Sequence, residues 1–292
     1  MIIVKLMGGL GNQLFQYAMS RRIAYFEDSP IKLDPSEFQD YNLRKYRLSY
    51  FNIIENIASP DEIASLKKSR NKKMTLLALG LIDKIQPYYW RSFIKERHFH
   101  FDPNMLKVSG NAYLEGYWQS EKYFKDIENI IRSEFTLKHN PDPLNKEIAQ
   151  KIMDSDSVSI HIRRGDYVLN AAINQFHGTC SLDYYYQAID KIKTVVHHPH
   201  FFVFSDEPKW VQESLKIEDP VTFIAHNGPD KDYQDLWLMS LCRHHIIANS
   251  TFSWWGAWLC TNKDKKIFAP ERWFNSSKHN TDDLIPEAWN RI

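Results

Sequence analysis

An α/β protein of two domains is the fold this sequence predicts, and three observations predict it. From Val158 onward, short apolar runs at 158–163, 200–205, 221–225, 244–249 and 266–269 alternate with helical stretches at 182–196, 208–216, 231–243 and 251–261, the pattern of a parallel sheet with crossover helices. The chain opens on a similar unit: a strand, Ile2-Ile3-Val4-Lys5-Leu6, then a glycine turn, then a helix-like stretch from Leu14 to about Glu27. Its 292 residues suffice for two domains, and the Pro141-Asp142-Pro143 stretch divides them into 1–143 and 144–292.

Composition narrows the class. Hydrophobic residues at 43% and charged residues at 25% describe a globular chain that buries a full core. A net charge of +1 gives no footprint for nucleic acid, so any anionic ligand must be met by local charge. Cys180, Cys242 and Cys260 are odd in number and widely spaced, which argues against a disulfide framework or a zinc site and fits a reducing compartment. The first strand leaves no room for a signal peptide, and no run reaches the length of a membrane span, so a cytoplasmic location is expected. Lys67 to Lys73, followed by the apolar patch Met74 to Ile82, reads either as a solvated face before a core helix or as a peripheral contact with the inner membrane.

In the first domain, Gly9, Gly11, Asn12 and Gln13 lie between strand and helix, where backbone N–H groups and the helix dipole favour an anion. Leu14 replaces the third glycine of a dinucleotide fingerprint, while the strand Ile31-Lys32-Leu33 ends in Asp34, near the position of a ribose-binding acid. An NAD-dependent oxidoreductase therefore stays open, as does a tight turn with no further role. A later strand ends in Gly116-Tyr117-Trp118-Gln119, aromatic and amide groups that suit a sugar face or simply close a core. With Trp254, these rings leave room for a non-catalytic sugar-binding protein.

In the second domain each strand ends in polar residues. Val158, Ile160 and Ile162 alternate with Ser159 and His161 before the chain breaks at Gly165 into Arg163, Arg164 and Asp166. The next ends carry Ser205-Asp206-Glu207, His226-Asn227 and Asn249-Ser250-Thr251-Phe252-Ser253. Ligands of open α/β sheets sit at the carboxyl ends of strands, so four polar ends at one edge predict a site. Ser250 or Thr251 also suits a helix cap. Arginine there suggests phosphate, through two parallel charge-assisted hydrogen bonds, against the plainer reading of a surface ion pair. The two D-x-D patterns, Asp154-Ser155-Asp156 and Asp230-Lys231-Asp232, precede a strand and a helix, the wrong places for a substrate metal, and His197, His198 and His200 lack carboxylate or thiolate partners. No nucleophile motif appears, so the expected chemistry is positioning and leaving-group stabilisation without a metal.

Four segments carry a family resemblance: Gly8 to Ala18, His161 to Tyr167, Phe204 to Trp210 and Ala248 to Ala257. In that order they resemble the α-1,2-fucosyltransferases of glycosyltransferase family 11, in the bacterial form without a membrane anchor. The resemblance implies a GT-B architecture, two Rossmann-like domains facing a substrate cleft, with GDP-fucose held mainly by the C-terminal domain and the acceptor by the N-terminal one. It implies inverting transfer, without metal or other cofactor, to the 2-hydroxyl of a terminal β-galactoside on an oligosaccharide or lipid-linked glycan, as in O-antigen synthesis. Arg163 then takes the donor diphosphate, Asn12 with the Gly11 and Gln13 backbone meets the same phosphate from the other domain, and Asp166 orients the arginine. His161, Ser205, Asp206, Asn249, Ser250, Thr251, Phe252 and Ser253 line the donor site beside Gly9. The base stays unassigned: Val168 to Asn174 lacks the glutamate of related α-1,6 enzymes, leaving Glu115, Asp166 and His177.

Overall fold

Ile2, Ile3 and Val4 are β-branched and completely buried, and they form the central strand β1 (Ile2–Lys5) of the first of two sheets. The protein is described by a computed structural model over residues 1–40, 44–67, 87–276 and 279–292. The stretch from Lys68 to Lys73 and the apolar patch Met74 to Ile82 lie outside the described residues. The chain divides into two compact units, Met1–Lys138 with Asn280–Leu284, and His139–His279 with Ile285–Ile292. The return of 280–284 to the first unit is anchored by Asp283, which accepts from the Phe101 N–H at 3.0 Å and from Lys122 at 2.5 Å.

In the first unit β1 is followed by α1 (Leu10–Phe26), β2 (Ile31–Asp34), α2 (Glu37–Asp40), α3 (Pro60–Lys67), β3 (Phe93–Lys95), β4 (Ala112–Glu115) and α4 (Glu128–Glu134). The sheet runs β2-β1-β4-β3 and every pairing is parallel. α1 begins at Leu10, earlier than the apolar pattern from Leu14 suggests, because extended Gly9 is its N-cap and its carbonyl takes the N–H groups of Asn12 and Gln13.

The second unit opens with α5 (Pro143–Met153), β5 (Asp156–Ile162), α6 (Gly165–Leu169), α7 (Ala171–His177), α8 (Leu182–Lys193) and β6 (Pro199–Ser205). It continues with α9 (Pro208–Ser214), β7 (Val221–Ile224), α10 (Asp232–Leu241), β8 (His244–Ile246), α11 (Thr251–Leu259), β9 (Ile267–Ala269) and β10 (Asn290–Arg291). Its parallel sheet runs β7-β6-β5-β8-β9-β10. Numbered within the unit, that order is 3-2-1-4-5-6, the Rossmann order, whose direction reverses between β5 and β8. The alternation read in β5 does not give one wet face: Ser159 and His161 are buried with Val158 and Ile160, as befits a central strand covered on both sides. Ser159 Oγ is satisfied by His245 Nδ1 at 2.7 Å across the β5–β8 pair.

Candidate active site

The reversal point of the second sheet lies just past the carboxyl ends of β5 and β8, the place where such sheets leave a crevice for ligand. Arg163 follows β5 directly. The register pairs Ile162 with Ser205, so the next residues of the two parallel strands, Arg163 and Asp206, come side by side. Arg163 Nη1 lies 3.0 Å from Asp206 Oδ2, in a pair that solvent still reaches in part. One residue further the pattern repeats, with Arg164 Nε 3.0 Å from Glu207 Oε2 and its guanidinium carbon 3.5 Å from the centre of the Trp210 ring. Asp206 also accepts the Arg164 N–H at 2.9 Å, and a Cβ on Gly165 would run into its carboxylate. Glycine is needed there for close approach. Asp206 thus takes the orienting position beside Arg163; the Asp166 side chain lies outside what the structure describes, though Asp166 itself is in α6.

The two arginines are not equivalent. Arg164 is held flat between an acid and an indole, while Arg163 pairs with Asp206 and lies over the Tyr167 ring at the strand end, and a guanidinium carries five N–H donors in a fork that matches phosphate. His161 is buried beneath it, with the Phe252 ring centroid 5.4 Å away. Burial, reinforced by the Arg163 charge, pushes the imidazole down to about 3. His161 is therefore neutral at physiological pH, and its Nδ1 has no hydrogen-bond partner among the described residues. In the unfolded chain the same group titrates near its ordinary 6.5, so the unfolded state binds more protons as pH falls from 6.5 toward 3. Stability should decline across that window. The urea midpoint of His161→Asn is expected to fall less between pH 7 and pH 4.5 than that of the unaltered protein.

The β8 end builds a loop before it offers anything to a ligand. Asn249 is buried, and its Nδ2 donates to the carbonyls of His177, Gly178 and Trp273 at 3.0, 3.2 and 3.2 Å. Ser253 Oγ donates to Ala248 and Ser250 carbonyls, and Ser250 Oγ accepts the Phe252 N–H at 3.3 Å as the N-cap of α11. These side chains fix the loop that leads from β8 into α11, which begins at Thr251. Ser205 Oγ likewise accepts the Glu207 N–H at 3.0 Å, shaping the turn that carries Asp206. The third polar end serves packing: His226 and Asn227 bond to Asn145 of α5 at 2.8 and 2.9 Å, and Asn227 bonds to Asp235 of α10. His177 stacks on Tyr167 at 4.6 Å, and Tyr167 in turn lies 5.4 Å from the Arg163 guanidinium carbon.

In the first unit the corresponding reversal lies between β1 and β4. Gly8 adopts φ +76°, and a Cβ there would come 2.6 Å from Asn12 Nδ2. Gln13 is fully buried and spoken for, donating to the Gly8 and Lys45 carbonyls and accepting the Arg47 N–H. Its backbone N–H, read from sequence as a phosphate donor, is bonded to Gly9 O at 3.1 Å. Asn12 accepts from Gln119 Nε2 at 2.9 Å, which ties the two turns together. Gly9 and Gly11 lie at the cap and in the first turn of α1. Glu115 pairs with Lys95 at 3.3 Å.

Two alternatives lose their footing here. Asp34 is sealed from solvent. Burial pushes its carboxyl up, but hydrogen bonds from Tyr113 Oη (2.6 Å) and the Ser36 N–H (3.1 Å) outweigh it, and it stays ionised and occupied rather than open to a ribose. Trp118 and Trp254 are both 0% exposed, so the aromatic surface required for sugar capture around them is core. Among the described residues, no group of three or more His, Cys, Asp or Glu side chains could hold a metal ion, and no helix is long and apolar enough to cross a membrane.

Two Rossmann-like units, one with an arginine held at its reversal point, define a GT-B glycosyltransferase. The model of glycosyl transferase family 11 matches residues 1–292, and the chain belongs to that family. It is 36% identical to an α-1,2-colitosyltransferase of Escherichia coli over 302 residues, covering 100% of this chain and 98% of the relative. It is 32% identical to the O-antigen biosynthesis glycosyltransferase WbnK of Escherichia coli over 307 residues, covering 97% and 98%. In fold it is similar to the NodZ α-1,6-fucosyltransferase crystallised with GDP, at a TM-score of 0.52 and 14% identity over 87% of this chain and 91% of that one. Family membership closes the nicotinamide alternative.

Proposed function

We propose that this chain transfers L-fucose from GDP-fucose to the 2-hydroxyl of a terminal β-galactoside, with inversion and without a metal, in O-antigen assembly. The observation that carries this reading is Arg163 at the end of the central strand, oriented by Asp206 and next to a neutral His161. As the bond to the sugar breaks, negative charge grows on the departing diphosphate, and a preorganised arginine stabilises it where other transferases use a cation. Arg163 contacts the diphosphate, while His161, Ser205, Asp206, Phe252 and the loop from Asn249 to Ser253 shape and line the donor pocket. In the first unit, Asn12, with Gly9, Gly11 and Gln13 forming its turn, contributes to the same reaction. A lipid-linked glycan acceptor would bring the enzyme to the cytoplasmic face of the inner membrane.

The 36% identity to a colitosyltransferase supports a second donor, GDP-colitose, whose sugar lacks the 3-hydroxyl of fucose. A site built to hydrogen-bond that hydroxyl rejects the deoxy sugar strongly, whereas an apolar site separates the two weakly. Purified protein given GDP-fucose or GDP-colitose with lactose in excess EDTA, with products read by mass spectrometry and NMR, is expected to yield an α-1,2-fucosyl-lactose. A colitosyl product alone would reassign the donor, and intact donor in both reactions would overturn the reading.

A further inference from the structure

The carboxylates at the strand-end edge of the first unit are not alike. Among the described residues, Asp34 is sealed by Tyr113 and Ser36, Glu37 pairs with Lys5 at 3.0 Å, and Glu115 pairs with Lys95 at 3.3 Å. Among the described residues, Glu96, directly after β3, is in no ion pair. Its two oxygens accept the consecutive N–H groups of Tyr117 and Trp118, Oε2 at 2.7 Å and Oε1 at 2.9 Å. Its own N–H is fixed on the Glu115 carbonyl at 2.8 Å.

The turn that Glu96 grips is built for that contact. A Cβ on Gly116 would collide with Glu96, and Trp118 holds a left-handed φ of +46° that a bulky L residue keeps only when its surroundings impose it. The same turn delivers Gln119 to Asn12 at 2.9 Å. Tyr117, 38% exposed, lies on the turn as well and gives its N–H to Glu96, so an exposed aromatic residue and a carboxylate belong to one turn, a composition suited to a pyranose. Two backbone donors fix the carboxylate's orientation, and each oxygen keeps a further lone pair for a hydroxyl.

We propose that Glu96 is the catalytic base, accepting the proton of the acceptor sugar's hydroxyl. The inference rests on the transferase reading above. In the step, the hydroxyl oxygen forms a bond to the anomeric carbon as the bond from that carbon to the diphosphate oxygen breaks. GDP departs with the electron pair, and the hydroxyl proton passes to Glu96 and then to solvent. Burial pushes the Glu96 carboxyl up to about 7 against the pull of the two N–H groups, the range in which a base works near neutrality. Among the described residues, the charged and titratable groups around it are Glu115 on β4, Tyr123 on the following turn, and its neighbours Lys95, paired with Glu115, and Arg97, over the Tyr88 ring.

The test compares Glu96→Gln and Glu96→Ala with the unaltered enzyme in transfer to lactose from pH 5 to 9. Loss of roughly 100-fold or more in kcat is expected, together with the acid limb of the profile and with GDP binding retained. Formate should restore part of the Glu96→Ala rate. Equal melting losses in both variants, no rescue by formate and an unchanged acid limb would mean that Glu96 only buttresses the turn. Carboxyl NMR of labelled Glu96 gives a readout independent of turnover. A titration that shifts when lactose or methyl β-galactoside is added supports the contact even if GDP-fucose proves the wrong donor; an unshifted titration overturns it.

Discussion

Replacing Arg163 by alanine is expected to lower kcat for fucosyl transfer by about 100- to 1000-fold, the size of effect seen when one preorganised charge-stabilising donor is removed. Lysine is expected to recover little of it. The guanidinium is paired with Asp206 at 3.0 Å and presents its donors in a rigid planar fork, whereas an ammonium at that position cannot present two parallel donors in a fixed plane. Steady-state kinetics with donor and acceptor varied separately make the check: the loss should sit mainly in kcat, with weaker binding of GDP by calorimetry. Near-normal turnover in Arg163→Lys would remove Arg163 from the diphosphate.

Asp206→Ala is expected to come second, at about 30- to 100-fold in kcat, and for a different reason. Asp206 joins three neighbours: it pairs with Arg163, accepts the Arg164 N–H at 2.9 Å, and packs against Gly165. Its removal takes away the carboxylate partner of Arg163 and the acceptor of an exposed backbone N–H that water can then satisfy, so the loss in stability should be small, about 1 kcal/mol or less. Asp206→Asn keeps an oxygen for the Arg164 N–H but loses the charge, so it should fall between the two in rate and near the unaltered protein in melting temperature. If Asp206→Ala kept full activity, Arg163 would be oriented by something else.

The roles of Arg163 and Asp206 show how far residue order alone reaches. Polar residues at successive strand ends were legible, because a buried run that stops in arginine or in Ser-Asp-Glu has to stop at an edge. Which acid meets Arg163 was not: Asp166 is three residues away in sequence, Asp206 forty-three, and only the parallel register of Ile162 with Ser205 puts the latter alongside. In the same way His226 and Asn227 read as a site residue pair but turn to Asn145, whose helix packs there only in the folded unit.

The sequence by itself determined the α/β class, the glycine turn before α1, the order of strands and helices in the second unit, and the four motifs that mark the family. Each of these is local, set by periodicity, turn chemistry or a run of a few residues. Tertiary structure decided what depends on long-range neighbours. It buried Trp118 and Trp254, closed Asp34 under Tyr113, lowered His161 by burial beside Arg163, and raised Glu96 in a turn held by two backbone donors. Burial and hydrogen-bond partners set whether a charged or polar group is available for chemistry, and both come from residues far apart in the chain.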